Sequence, residues 1–296
     1  MKIVAGPRSE ALSAKLAEEL NAELVRVVHK VFPDGESYVR LEGAERLVGE
    51  KVALVQSLAP PQDKSFFETL LMLDALKRNR VEEIGLVVPY LAYARQDKVF
   101  LKGEPVSVDV VLRSFENEGV SFLVTVDVHN EEVLLNRKMK CVNVTAVKLL
   151  AEHIVNEISG EVTLVSPDVG RAEAVRAAAE ALGCEFLCFE KHRDRITGKV
   201  EMKAPSGASA KKRAAVILDD IISTGGTIKH AAKLLRSLGA KKIYAGCVHM
   251  LASEESVRSM REAGVERIIS TDTLESPYSK ISVAPLLART LKELLP

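Results

Sequence analysis

Short apolar runs alternate along the chain with longer segments in which apolar residues recur every three or four positions. The short runs are typical of buried parallel strands, and the longer segments are typical of amphipathic helices. Such alternation predicts an α/β fold in which parallel sheets are covered by helices, built from two similar halves. The predicted strands are 2–5, 23–28, 37–41, 52–55, 84–88, 122–126, 162–165, 186–189, 199–203, 215–218, 242–249 and 267–270.

The helical pattern is strongest in the long segment 63–80. The residues of this segment predicted to face the core are Phe66, Phe67, Leu70, Leu73 and Leu76. The other predicted helices are 9–20, 107–118, 145–158, 170–182, one that includes 231–238, 254–263 and 283–295.

In one stretch, residues 214–229, acidic residues, hydroxyl residues and glycines lie between a predicted strand and a predicted helix. Strand 215–218 runs into Asp219 and Asp220, and a Ser-Thr-Gly-Gly-Thr loop at 223–227 then opens a helix. Hydroxyls, backbone N–H groups and a helix N-terminus suit a phosphate, and glycines let the backbone approach it closely. The two carboxylates suit neighbouring hydroxyls, or a cation shared with the ligand. The stretch therefore predicts a sugar-phosphate site; the alternative is a strand end whose acids cap the next turn.

Polar residues also follow other predicted strands, at the edge where parallel sheets bind ligands. They supply cations for phosphate, together with oxygen and imidazole ligands for Mg²⁺. Each alone is more often a solvated loop residue, and His129 alone is equally consistent with a hydrogen-bonded core histidine. They are Asp34, Glu36, Arg95, Gln96, Asp97, Lys98, Asp127 and His129 in the first half, and Asp168, Lys191, Arg193, Asp219, Asp220, Ser223, Thr224 and Thr227 in the second.

Composition and missing motifs narrow the classes of function. The 41 Lys and Arg residues balance 41 Asp and Glu residues, so no nucleic-acid partner is expected. No G-x-x-x-x-G-K-[ST] loop is present and no G-x-G-x-x-G follows the first strand, which disfavours P-loop and dinucleotide sites. Without a signal peptide or an apolar run of transmembrane length, we expect no membrane partner and a cytoplasmic location. The four scattered cysteines predict reduced thiols.

The loop at 219–227 resembles the phosphoribosyl-binding loop of the phosphoribosyltransferase superfamily, in which two acids, two apolar residues and S/T-T-G-G-T follow an apolar strand. Five other segments indicate which family within this superfamily the chain resembles. Their order and spacing, over almost the whole chain, resemble the ribose-phosphate pyrophosphokinase family in its archaeal form. The segments are Phe-Pro-Asp-Gly-Glu at 32–36, Pro-Tyr-Leu-Ala-Tyr-Ala-Arg-Gln-Asp-Lys at 89–98, Asp-Val-His at 127–129, Ser-Pro-Asp-Val-Gly at 166–170 and Lys-His-Arg at 191–193.

The resemblance implies two similar phosphoribosyltransferase-like domains, each a parallel sheet flanked by helices. Residues 1–143 with 284–296 would form the ATP side, and 144–283 would carry the ribose 5-phosphate loop and a mobile catalytic loop. The family uses Mg²⁺ and transfers the β,γ-diphosphoryl group of ATP to the anomeric hydroxyl of ribose 5-phosphate, releasing AMP. Its members are homo-oligomers, so we expect at least a dimer here, and hexamers also occur in the family.

The same resemblance assigns roles to individual residues. Phe32, Asp34 and Glu36 would hold the adenine of ATP and reach across a subunit interface. His129 and Asp168 would lie on or near Mg²⁺. Lys191 and Arg193 would stabilise the charge that develops on the transferred group. Arg95, Gln96, Asp97 and His129 would line the ATP pocket. Asp219 and Asp220 would bind the ribose hydroxyls, directly or through the metal. The 5-phosphate would be bound by Ser223, Thr224, Gly225, Gly226 and Thr227.

The chain departs from well-known bacterial and animal members at two places. Residues 98–104 lack the Ser/Arg-rich run of the phosphate and ADP regulatory site. Arg171 stands where the pyrophosphate loop usually has a second glycine.

Two other functions stay open at this point. A phosphoribosyltransferase would share the loop at 219–227 but would need no ATP pocket. A regulatory homologue without activity would lose charged residues at the metal site or the catalytic loop, which this chain retains.

Overall fold

The computed structural model describes residues 1–193, 200–211 and 213–295, and for residues 191–193, 200 and 201 it describes the backbone alone. The chain divides into two compact units: unit 1 is Met1–Val144 with the C-terminal segment from Ser282, and unit 2 is Thr145–Ile281. The division predicted from the sequence lies one residue earlier at the first boundary and two residues later at the second. That the two units are domains that fold independently stays a prediction.

Strands make up the centre of each unit. In the described ranges they are β1 Lys2–Ala5, β2 Glu23–Val31, β3 Ser37–Leu41, β4 Lys51–Val55, β5 Glu83–Val88, β6 Phe122–Val126, β7 Lys140–Val144, β8 Val162–Ser166, β9 Glu185–Cys188, β10 Glu190–Arg193, β11 Val200–Lys203, β12 Ala214–Ile222, β13 Lys242–Met250, β14 Arg267–Thr271 and β15 Ser279–Ile281.

Helices connect most of these strands, as the alternating pattern predicts. Within the described residues, none is long and apolar enough to cross a membrane. The α-helices are α1 Glu10–Leu20, α2 Gln62–Arg78, α3 Ser107–Asn117, α4 Val147–Asn156, α5 Ala172–Leu182, α6 Gly226–Ser237, α7 Glu254–Glu262 and α8 Ala284–Leu294, and short 3-10 helices lie at Ala44–Leu47, Glu131–Leu134 and Val169–Arg171.

Two sheets, mostly parallel and flanked by helices, confirm the predicted α/β fold. In unit 1 the strand order is β3-β2-β1-β4-β5-β6-β7, and in unit 2 it is β15-β14-β13-β12-β8-β9. The exception to the parallel arrangement is β3, which pairs with β2 in the antiparallel direction. The turn at 32–36 is too short for a crossover connection, so the two strands it joins can only run antiparallel. A separate hairpin pairs β10 with β11.

Strand β12 differs from its prediction in a way that matters for function. The predicted strand ends at Leu218, with Asp219 and Asp220 in the loop that follows, but the observed strand continues to Ile222 and is buried throughout. The reason is its neighbour β13, which is nine residues long and still pairs with β12 at Ile222 and Met250. Both carboxylates are therefore fixed by a sheet ladder instead of lying in a loop.

Helix α2 buries a more polar face than its sequence predicts. Ser65, Glu68, Thr69 and Met72 are buried, whereas Phe67, predicted to be buried, is 56% exposed. The spacing of three and four is that of an amphipathic helix, but hydrogen bonds to Glu68 determine which face is inside.

Two edge strands, β7 and β15, have no counterpart among the predicted strands. Strand β7 is only partly buried and carries Lys140 and Asn143, and β15 has three residues. Because edge strands expose part of their surface, they do not form the apolar run that marks a central strand.

Candidate functional site

In unit 2, Asp219 and Asp220 lie near the C-terminal end of the central strand β12. Their exposed fractions are 9% and 5%. The Asp220 backbone N–H donates to Asp219 Oδ1 over 2.9 Å, and the Ile221 N–H donates to Asp220 Oδ1 over 2.9 Å. Two adjacent carboxylates are thus held in defined orientations at the edge where parallel sheets bind ligands.

The loop at 223–227 turns directly from β12 into α6. Gly225 adopts a left-handed conformation with φ +71°, and a Cβ atom there would lie 2.8 Å from Met260 Sδ. The Gly225 carbonyl accepts from the Lys229 N–H over 2.9 Å, which closes the first turn of α6. Only glycine combines an unstrained left-handed conformation with the absence of a Cβ atom. The turn leaves the N-terminus of α6 open to an anion.

Asp168 and Arg171 lie in the turn that follows β8, the strand beside β12. Asp168 Oδ1 accepts from the Gly170 N–H over 3.1 Å, and its carbonyl accepts from Ser166 Oγ over 2.7 Å. The helix predicted from residue 170 begins instead with a 3-10 turn, because Asp168 caps that turn. Arg171 Nη2 then donates to Asp220 Oδ2 over 2.8 Å. No partner of Arg171 was predicted from the sequence, where its one signal was a charge in place of a glycine.

The predicted catalytic residues Lys191 and Arg193 lie in strand β10. Their backbones pair with Met202 and Val200 of β11. Met202 packs against the apolar core of unit 2, so the base of this hairpin is anchored. The side chains of Lys191 and Arg193 and residues 194–199 lie outside the described part of the chain. Their catalytic role stays a prediction.

In unit 1, Arg95, Gln96 and Asp97 follow β5, and His129 follows β6. Ser107 Oγ donates to Gln96 Oε1 over 2.5 Å, which ties this segment to the start of α3. Asn130 Nδ2 donates to Asp97 Oδ2 over 2.7 Å, which joins the loops that follow the two strands. A pocket of about 360 Å³ lies beside this contact, and its lining includes Asp97, Lys98, Asn130 and Arg137.

Phe32, Asp34 and Glu36 occupy the turn between β2 and β3. The Phe32 N–H donates to the Glu36 carbonyl over 2.8 Å, and Asp34 Oδ1 accepts from the Glu36 N–H over 3.2 Å. The Phe32 ring is 39% exposed. Strands β1 and β4 separate β2 from β5, so this turn lies three strand spacings, about 14 Å, from the end of β5. Within unit 1 the structure does not bring these residues against Arg95, Gln96 and Asp97.

A buried acid of α2 anchors this turn. Glu68 is fully buried, and its Oε1 lies 2.8 Å from both His29 Nε2 and Ser37 Oγ, one on each strand of the hairpin. We expect Glu68→Ala to lower the free energy of unfolding by about 2 kcal/mol, because it leaves the half-buried His29 and Ser37 without their acceptor. Urea denaturation measures this effect. The control is Glu19→Ala at an exposed position of α1, and equal midpoints for the two variants would contradict the prediction.

The two predicted metal ligands belong to different units. Among the described residues, no group of three or more His, Cys, Asp or Glu side chains could hold an ion. Of the predicted ligands, His129 belongs to unit 1 and Asp168 to unit 2. A single carboxylate such as Asp168 is nevertheless compatible with Mg²⁺, which commonly takes one or two carboxylates and completes its shell with water and substrate phosphates.

A thiol nucleophile does not fit the acidic strand end. Cys247 pairs with Asp219 across β12 and β13, and complete burial raises the pKa of its thiol above the usual range. Because a raised pKa leaves little thiolate at neutral pH, we expect iodoacetamide at about pH 8 to leave Cys247 unmodified in the folded protein. Peptide mass spectrometry checks this, with the half-buried Cys184 as internal reference. Faster labelling of Cys247 than of Cys184 in folded protein would contradict it.

Comparison with known proteins covers both units. Residues 1–119 match the family model of the N-terminal domain of ribose phosphate pyrophosphokinase. Residues 142–278 match the model of the phosphoribosyl transferase domain. The two matches together account for most of the chain.

Whole proteins of similar sequence and structure agree with these domain matches. The chain is 37% identical over 295 residues to a ribose-phosphate pyrophosphokinase of Methanopyrus kandleri, covering 99% of each chain. It is 42% identical over 270 residues to one of Thermococcus kodakarensis, covering 90% of this chain and 92% of the relative. Its structure is similar to the crystal structure of phosphoribosylpyrophosphate synthetase from Mycobacterium smegmatis, with a TM-score of 0.86, 29% identity and coverage of 99% and 98%.

Proposed function

Because this chain belongs to the ribose-phosphate pyrophosphokinase family, we propose a division of work between its two units. The reaction is transfer of the β,γ-diphosphoryl group of ATP to the 1-hydroxyl of ribose 5-phosphate. A bond forms between the 1-oxygen and the β-phosphorus, and the bond from that phosphorus to the oxygen it shares with the α-phosphorus breaks. The proton of the 1-hydroxyl is released to solvent, and the electron pair of the broken bond stays on AMP. The products are phosphoribosyl diphosphate and AMP.

The single observation that carries the acceptor half of this proposal is the geometry of β12 and its loop. The left-handed Gly225 and the N-terminus of α6 would hold the 5-phosphate, assisted by the backbone of Gly226 and the hydroxyls of Ser223, Thr224 and Thr227. Asp219 and Asp220 stand at the C-terminal end of the same strand and would accept hydrogen bonds from the ribose hydroxyls. The substrate would therefore be held at both ends, with its 1-hydroxyl directed away from the phosphate.

Unit 1 would bind the donor. Arg95 would pair with phosphate oxygens, and Gln96, Asp97 and His129 would line the ATP pocket beside the contact of Asp97 with Asn130. Because Phe32, Asp34 and Glu36 lie about 14 Å away across the sheet, we place them at the adenine of a neighbouring subunit. The exposed rings of Phe32 and Phe67 and the exposed Val31 support coverage by such a subunit.

Charge neutralisation would supply most of the catalysis. Diphosphoryl transfer gathers negative charge on the phosphate oxygens, and groups placed to neutralise it lower the barrier. We assign this role to Lys191 and Arg193. Mg²⁺, held near His129 and Asp168, would polarise the same phosphate oxygens when bound. Asp219 and Asp220 would orient the acceptor and are not needed as general bases for this chemistry.

Neither alternative function is favoured. A phosphoribosyltransferase would not need the first 119 residues, which match the pyrophosphokinase N-terminal domain. A regulatory homologue would not need to keep Lys191, Arg193, His129, Asp168 and both carboxylates of β12, all of which are present.

We further propose a homo-oligomer, at least a dimer, since an adenine site shared between subunits is incomplete in one chain. We place the enzyme in the cytoplasm, where its four free cysteines would stay reduced. ATP and ribose 5-phosphate are the expected partners.

The direct test is formation of AMP from ATP by the purified chain with Mg²⁺, with and without ribose 5-phosphate. AMP formation that depends on ribose 5-phosphate and equals the phosphoribosyl diphosphate formed is the expected result. Formation of ADP, or no turnover in Mg²⁺, would contradict the function. Repeating the assay with inorganic phosphate and with ADP tests for regulation, which the departure at residues 98–104 leads us not to expect.

A further inference from the structure

Arg171 contacts the acidic strand end through its guanidinium, which donates to Asp220. It lies just beyond β8, where the capped turn at Asp168 fixes the course of the backbone. Strand β8 is a direct neighbour of β12, with Val165 opposite Ile217. The two chain segments that carry Arg171 and Asp220 are therefore held in a fixed relation by the sheet.

The contact between the two side chains is nearly dry. Arg171 Nη2 lies 2.8 Å from Asp220 Oδ2, and the side chains are 13% and 6% exposed. A charge-assisted hydrogen bond of this length, out of water, is strong, and losing one partner leaves an uncompensated buried charge. The other oxygen of Asp220 accepts from the Ile221 N–H. Both oxygens of this carboxylate are thus held, which fixes its plane.

Both carboxylates are held by hydrogen bonds. Asp219 Oδ1 accepts a backbone N–H, and Asp220 accepts a backbone N–H at Oδ1 and the Arg171 guanidinium at Oδ2. A carboxylate has about four lone-pair sites, so a carboxylate oriented by a guanidinium and a backbone N–H can also take part in binding a hydroxyl.

We propose that Arg171 is a positioning residue for the sugar: it holds Asp220 so that the carboxylate meets a ribose hydroxyl without reorganisation. This inference rests on the proposed function, since it takes Asp220 as a ribose ligand. Pre-orientation of an acceptor lowers the cost of binding. Arg171 acts through Asp220, and its effect falls on the affinity for ribose 5-phosphate.

The experiment compares ribose 5-phosphate binding by calorimetry, in the presence of Mg²⁺ and without ATP, for full-length variants. We expect Arg171→Ala to bind about 10- to 100-fold more weakly, the range typical for loss of a supporting hydrogen bond behind a ligand. Arg171→Lys should recover part of the loss, because it keeps the charge but not the forked geometry. The matched control is Arg176→Ala on α5, whose guanidinium stacks on the Phe186 ring and leaves the acidic strand end untouched.

A double variant separates positioning from a general effect. In the Asp220→Asn background, we expect Arg171→Ala to weaken binding by less than about threefold, because its partner is already gone. Kinetics should show the loss in KM for ribose 5-phosphate, with KM for ATP unchanged. Thermal melting identifies a merely structural role: a lower Tm of Arg171→Ala with unchanged affinity would overturn the proposal. Independent, multiplicative losses in the double variant would also overturn it.

The wild type separates this inference from the proposed reaction. Binding of ribose 5-phosphate without formation of phosphoribosyl diphosphate would contradict the proposed reaction but not the role of Arg171. Full wild-type activity together with an Arg171→Ala variant that binds like Arg176→Ala would remove the role of Arg171 alone. A wild type that neither binds ribose 5-phosphate nor forms phosphoribosyl diphosphate would overturn both.

Discussion

Lys191→Ala is expected to lower kcat by about 10²- to 10³-fold, the range found when one preorganised stabilising group is removed from a transition state. The KM values for ATP and ribose 5-phosphate should change little, because the contact strengthens as charge develops during transfer. Steady-state kinetics with each substrate varied in turn measures both quantities. Arg193→Ala should act in the same direction.

The control for Lys191 comes from the same hairpin. Lys203 is exposed on β11, opposite Glu190. Lys203→Ala removes a lysine from the hairpin without touching the predicted catalytic position, so its kcat should match that of the wild type. A kcat for Lys191→Ala equal to that of Lys203→Ala would remove Lys191 from catalysis.

Gly225→Ala is expected to weaken ribose 5-phosphate binding by about 100-fold, the loss that a displacement near 1 Å commonly causes in a positioned site. At φ +71° an added Cβ is strained, and it would also lie 2.8 Å from Met260 Sδ, so the loop must move. Because Met260 is fully buried in α7, it has little room to yield. Calorimetry with ribose 5-phosphate measures the loss.

Gly183→Ala separates backbone strain from displacement of the loop. Gly183 also has a left-handed φ, +65°, but nothing lies within 4 Å of its added Cβ. It should cost about 1 kcal/mol of stability, the strain alone, and leave the affinity for ribose 5-phosphate unchanged. If Gly225→Ala bound the sugar phosphate as tightly as Gly183→Ala, the loop at 223–227 would not be its cradle.

Central strands and the glycine-rich loop were predictable because their causes are local in sequence. An unbroken apolar run can be satisfied only inside a sheet covered on both faces, and β12 and its neighbours follow that pattern. The loop at 223–227 carries its own chemistry, since paired glycines and hydroxyls before a helix have few other uses. The α/β class followed from these features, and they also support the prediction of a sugar-phosphate site at the loop.

Features that depend on contacts between distant segments were not predictable. The length of β12 is set by β13, its neighbour in space. The polar face of α2 is buried because His29 and Ser37, far away in sequence, bind Glu68. Arg171 shows the same limit, since residue spacing gives no sign that it reaches Asp220, 49 positions later.

The most direct test of the central claim follows the phosphorus that is transferred. The purified chain is given Mg²⁺, ribose 5-phosphate and ATP labelled at the β-phosphorus, and the products are separated by chromatography. Label in phosphoribosyl diphosphate, with AMP unlabelled, is the predicted result. Label in ADP, or label that stays in ATP while ribose 5-phosphate is present, would contradict diphosphoryl transfer by this chain.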